Sequence, residues 1–147
     1  GVAWRGVGVK VGYESLGGDA SRPGDKITTP LATLHAFQDW ADMFLNTPNA
    51  GINDLYVSLG GPLPMWKDLT LMAIWDDYSA VDDIANDQYG SEIDLLAEYT
   101  VAGFDPKMKV GLKYASYRAD EGEGAAIPGS AVNVDTDKFW AYWQYAF

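Results

Sequence analysis

The chain has no cysteine, one histidine and no long apolar run. Without cysteine there is no disulfide framework and no structural zinc site built on thiolates, although this alone fixes no compartment. No stretch approaches the ~20 consecutive apolar residues of a membrane helix, so any membrane role falls to strands. Basic residues are scarce, 10 Lys and Arg against 21 Asp and Glu. The resulting net charge of −11 argues against nucleic acid as a partner. Residues 1–16 lack the basic-then-apolar order of a signal peptide. No GxSxG occurs and no serine sits in a comparable context, so His35 lacks the nucleophile and oxyanion hole that catalysis requires, and no enzyme activity is expected.

What the chain does have is alternation. With 147 residues it is long enough for one ordinary domain. It ends "DKFWAYWQYAF", residues 137–147. Phe139, Ala141, Trp143, Tyr145 and Phe147 share one side of an extended chain; Lys138, Trp140, Tyr142, Gln144 and Ala146 share the other. Five earlier segments alternate in the same way, with apolar faces at Val7–Val9–Val11–Tyr13, Leu55–Val57–Leu59, Leu69–Leu71–Ala73–Trp75, Ile93–Leu95–Ala97–Tyr99 and Met108–Val110–Leu112–Tyr114. The opposite faces carry Lys10, Glu14, Asp54, Asp68, Asp76, Glu92, Asp94, Glu98, Lys107, Lys109, Lys113 and Lys138 among glycine, tyrosine, methionine and tryptophan.

The connections alternate in length as well. "GGPLPMWKD" and "AGFDPK" are short and punctuated by Gly and Pro; "VDDIANDQYG" and "ADEGEGAAIPGSAVNVDT" are longer, and residues 17–50 form the longest. Long and short connections in turn predict an antiparallel up-and-down β-barrel with short turns at one end and long loops at the other. Leu55, Val57, Leu69, Leu71, Leu95, Val110, Leu112, Trp143 and Tyr145 are then expected on one continuous lipid face, with the charged residues lining a lumen. Tyr13, Trp75 and Tyr114 would form one aromatic girdle, Tyr145 and Phe147 the other. A soluble β-domain that binds an apolar ligand is the alternative.

The segments "TPLATLHAFQDWADMFL", "DLYVSLGG", "YGSEIDLLAEYT", "GLKYASYRAD" and "DTDKFWAYWQYAF" resemble the C-terminal part of Gram-negative outer-membrane porins of the alginate-export type. Trp143, Tyr145 and Phe147 are similar to the signal such proteins offer to the barrel-assembly machinery. The resemblance implies the C-terminal six strands or so of a larger barrel, since membrane barrels have at least about eight. It also implies a bacterial outer-membrane location, lipid and lipopolysaccharide as surroundings, small solutes as cargo, no cofactor, and room for a homo-oligomer. Polysaccharide export of the alginate type favours a basic lumen. The expected lumen is mixed and slightly acidic, so passive passage of small polar or charged solutes is the preferred expectation.

Thr29 and Pro30 read as a helix start, and Leu34, Phe37, Ala41 and Phe44 recur at helical spacing until Asn46-Thr47-Pro48. A helix near 30–45 is therefore expected inside the longest loop. It either caps the mouth or folds into the lumen as a constriction that presents His35, Asp39 and Asp42, with Gly6, Gly8 and Gly12 leaving room for it. A constriction bearing His35 would make conductance sensitive to pH between roughly 5 and 8. His35 with Asp39 supplies only two ligands, and the acidic loop 76–92 lacks EF-hand spacing, so no dedicated metal site is expected. Across the short "AGFDPK" connection, Asp94 and Glu98 are expected near Lys109 and Lys113, as wall-stabilising pairs and as opposed rows of charge across the pore.

Overall fold

A computed structural model describes residues 1–28, 40–82, 84, 87–103, 108–120 and 133–145. Seven strands form one sheet: β1 (Val2–Trp4), β2 (Val7–Leu16), β3 (Ile52–Pro62), β4 (Leu69–Ser79), β5 (Gln88–Val101), β6 (Met108–Ala119) and β7 (Thr136–Tyr145). Every neighbour in sequence is an antiparallel neighbour in space, and the order is β1-β2-β3-β4-β5-β6-β7. β1 and β7 are opposite edges, so the sheet is open and not closed into a barrel.

The six expected segments are strands, and β1 is additional. It pairs with β2 across a two-residue turn at Arg5 and Gly6, both with positive φ (52° and 87°), as a type I′ hairpin turn demands. Arginine in place of the usual Asn or Asp hides that turn in the sequence.

Register puts the apolar side chains in continuous rows. Val11 faces Val57, Val57 faces Trp75, and Trp75 faces Ile93. One step along, Leu71 faces Ala97, Ala97 faces Leu112, and Leu112 faces Ala141. Val110 and Met108 face Trp143 and Tyr145. All these residues share one side of the sheet, and that side is open: Leu95 is 45% exposed and Trp143 73%.

Burial lies on the other side. Asp54, Asp76, Glu92 and Asp94 are all 5% exposed or less. A small core joins Tyr78 and Tyr117 of the strands to Ala41, Phe44 and Ala50 of the long β2–β3 connection. That connection does not stand away from the sheet; its second half lies across the polar face.

No described residue is helical. The helix expected over 30–45 lies largely outside the described residues, but its last part, residues 40–45, is turn and bend. The local reason is visible. The N–H groups of Trp40 and Ala41 donate to the Glu92 carboxylate, and Asp42 sits at φ 58°, a left-handed conformation that interrupts a right-handed helix. No helix among the described residues is long and apolar enough to cross a membrane.

Candidate functional site: the covered polar face

The candidate site is the polar face between the body of the sheet and residues 40–51. Lys10, Glu14, Asp54, Asp76, Asp94, Glu98, Lys109, Lys113 and Lys138 all occupy positions of that face, as the register requires. Asp68 does not: it lies in the exposed turn between β3 and β4, because β4 begins only at Leu69. His35, Asp39, Lys107 and Phe147 lie outside the described residues.

Asp76 and Glu92 are directly opposite each other on β4 and β5, with Asp54 and Asp94 on the flanking positions of the same face. Like charges in such a pair repel. A buried carboxylate also needs hydrogen bonds to offset its lost hydration. Glu92 obtains two: its Oε1 accepts from Trp40 N at 2.9 Å and Ala41 N at 2.8 Å. The carboxylate thereby fixes the point at which the connection meets the wall. Of the carboxylates expected to line open water, Asp54, Asp76, Glu92 and Asp94 are buried, and Trp40 and Ala41 lie against Glu92. Among the described residues, no group of three His, Asp or Glu side chains is disposed to hold a metal ion.

Four further contacts hold the segment down. Phe44 sits among Tyr78, Tyr89 and Tyr117, with ring centroids 4.6, 5.8 and 5.9 Å away. Lys138 of β7 donates to Asp42 at 2.9 Å. Lys113 of β6 stands 3.8 Å from the Trp40 ring and 5.6 Å from the Trp140 ring. At the end of the segment, the Tyr89 hydroxyl donates to the Gly51 carbonyl at 2.8 Å. Asp42 is thus on the polar face, and its carboxylate meets a lysine of β7.

Nearer the short turns the polar face carries a second cluster. Lys109 donates to Glu98 Oε1 at 2.7 Å and Tyr142 donates to Oε2 at 3.0 Å. This is the Glu98–Lys109 pair expected from the hairpin. Both partners retain solvent contact, so the pair contributes about 0–1 kcal/mol and acts mainly to position the groups.

Sequence reading missed the glycine–tyrosine pairs. Gly12 faces Tyr56, and Gly111 faces Tyr142. A Cβ added at Gly12 would lie 2.2 Å from the Tyr56 ring, and one at Gly111 would lie 2.3 Å from that of Tyr142. Each tyrosine lies down over a bare stretch of backbone. The space at Gly12 is therefore filled by Tyr56 and is not reserved for the loop. The signal exists only once register is known: a glycine alone reads as weakness in a strand, whereas opposite a tyrosine it is the ring's seat. Gly111→Ala is expected to push Tyr142 off Glu98 and to destabilise the sheet by about 1–3 kcal/mol, as overpacking does. Chemical denaturation of the folded protein measures the loss.

No protein-family model, no curated protein and no solved structure matches the chain. The geometry therefore has to carry the function.

Proposed function

We propose that this chain forms part of the wall of an outer-membrane β-barrel that passes small polar or charged solutes passively, with residues 40–51 narrowing the bore. The observation that carries the reading is the inverted polarity of the sheet. Six adjacent strands turn leucine, valine and aromatic side chains outward to the solvent side, while four carboxylates are shut in on the opposite face. A water-soluble sheet buries its apolar face. Lipid is the surrounding that makes the observed arrangement favourable.

Other features support it. β2 to β7 run 10 to 14 residues, against the ~9–11 that a tilted strand needs to cross a bilayer. The meander with alternating short and long connections is that of bacterial barrels. The open edges at β1 and β7 are the places where further strands would continue the wall. Outer-membrane location, lipopolysaccharide near the long loops and handling by the assembly machinery belong to the same proposal. A polyanion exporter favours a basic lumen. Here Lys138 and Lys113 are engaged by Asp42, Trp40 and Trp140 beside a carboxylate-rich wall, which favours small solutes over alginate-type polymers.

The test is detergent extraction followed by conductance in planar bilayers. Discrete channels from a protein that needs detergent support the reading; a protein that stays soluble without detergent, or a membrane-inserted one that is electrically silent, removes it. Glu92 probes the narrowing. Glu92→Ala leaves the Trp40 and Ala41 amides without their acceptor, at about 1–3 kcal/mol for each one buried. The expected result is easier proteolysis within residues 40–51 and noisier current. Glu92→Gln keeps an acceptor oxygen and is expected to preserve both.

A further inference from the structure

Two features that begin at the short-turn end play no part in the lumen. The first is a groove of about 540 Å³ on the apolar face. It runs from Pro62, over Ala73 and Ala97 between Leu71 and Leu95, to Leu112. Ala73 faces Leu95, and Ala97 faces both Leu71 and Leu112. Two alanines among leucines therefore form a depression across four strands, β3 to β6, long and almost wholly apolar.

The second is a pair of basic-aromatic turns beside the groove's lower end. The Arg5 guanidinium lies 4.5 Å from the centre of the Trp4 ring, in the turn next to Pro62: a Cβ on Gly6 would lie 3.3 Å from the Pro62 ring. The β3–β4 turn continues from Pro62 and carries Met65, 91% exposed, and Trp66, 66% exposed, followed by Lys67. It is not a loose tip. Leu63 N donates to Leu69 O at 2.8 Å, Trp66 N to Leu63 O at 3.1 Å, and Leu69 N to Trp66 O at 2.9 Å. An ordered turn that holds a tryptophan and a methionine out of the protein suits the boundary between headgroups and acyl chains, where tryptophan concentrates. In a chain of net charge −11, Arg5 and Lys67 here outnumber Asp68 of the same turn.

We propose that groove and turns together form a site for one anionic glycerophospholipid, its acyl chain over Ala73 and Ala97 and its phosphate between Arg5 and Lys67. The proposal rests on the membrane reading above. Charge complementarity selects the headgroup, and continuity of the groove with the lipid-facing surface selects a chain-bearing ligand over a bare anion.

The test titrates the detergent-purified protein with phosphatidylglycerol and with phosphatidylcholine of identical chains, counting bound lipid by native mass spectrometry. One phosphatidylglycerol is expected to be retained in preference to phosphatidylcholine. Arg5→Gln and Lys67→Gln are each expected to weaken phosphatidylglycerol about five-fold, the value of one basic group near an anionic headgroup, and to leave phosphatidylcholine unchanged. Ala73→Leu with Ala97→Leu fills the groove and is expected to weaken both lipids alike. Equal retention of the two lipids by the unaltered protein overturns the site, as does indifference to the leucine pair. Displacement of phosphatidylglycerol by inorganic phosphate would reveal a simple anion site and overturn the lipid assignment. Insertion into phosphatidylcholine vesicles separates the two readings. A protein that inserts and shows no headgroup preference sinks this site alone; one that never inserts sinks the membrane reading and this site with it.

Discussion

Replacing Phe44 with alanine is expected to release residues 40–51 from the sheet and to widen the proposed channel. The ring is fully buried and touches three tyrosines drawn from three parts of the sheet: Tyr78 near the end of β4, Tyr89 at the start of β5 and Tyr117 near the end of β6. Removing a buried phenylalanine costs about 3–5 kcal/mol. The strand ladders do not depend on it, so the loss falls on the docking of the segment, where Glu92, Lys138 and Tyr89 are among the groups that still supply polar contacts. The expected readout is a larger single-channel conductance together with faster proteolysis within residues 40–51, the far-UV signature of the sheet being retained. An unchanged conductance with the segment demonstrably loosened would mean that it covers the wall without narrowing the path, and the constriction role would be lost.

The sheet was legible in the chain because its signal is local. Period two at Leu55–Val57–Leu59 or Val110–Leu112 specifies which side chains share a face, and connection length specifies which strands neighbour. The Glu98–Lys109 contact followed from those two facts. The loop's path was not legible, because its causes are distant in sequence. Leu34, Phe37, Ala41 and Phe44 repeat at helical spacing, and nothing nearby announces that Glu92, 51 residues beyond Ala41, will take its amide. The carboxylates show the same limit. Asp54, Asp76, Glu92 and Asp94 look like a wet lumen in sequence, yet whether water reaches them depends on where residues 40–51 come to rest. β1 escaped because a three-residue strand carries too little alternation to stand out, and Arg5-Gly6 is an uncommon form of its turn.

Polarity also orders the sheet from side to side. The buried carboxylates Asp54, Asp76, Glu92 and Asp94 lie on β3, β4 and β5, while Lys109, Lys113 and Lys138 lie on β6 and β7. The inward segment bridges the halves: Glu92 on the acidic side holds the amides of Trp40 and Ala41, and Lys138 on the basic side holds Asp42. One stretch of chain is thus clamped by opposite charges at adjacent residues. The segment's position is set by the same transverse charge separation that would act on a solute beside it.

Arginine at Leu112 or Leu71 gives the sharpest separation between a lipid face and a face that another protein covers. Both leucines belong to the row in which Leu71 faces Ala97 and Ala97 faces Leu112, and both side chains are exposed; Leu112 lies near the middle of β6, whereas Leu71 lies close to the short-turn end of β4. In a bilayer an arginine near the midplane costs about 2–4 kcal/mol, and the cost falls to about 0–1 kcal/mol near the interfaces. Tyr13→Arg, on the same face but towards the long-connection end of β2, supplies the shallow control. Folding yield into vesicles and subsequent urea titration should therefore rank Leu112→Arg well below the unaltered protein, with Leu71→Arg above Leu112→Arg and Tyr13→Arg close to the unaltered protein. On a water-exposed sheet all three substitutions would stay within about 0.5 kcal/mol, as surface changes usually do. A partner protein seated on the face would show no loss in the isolated chain and a loss only on binding. Depth dependence in vesicles is a property that only a membrane can impose, so a flat response across the three positions would remove the barrel reading whatever the conductance of the preparation.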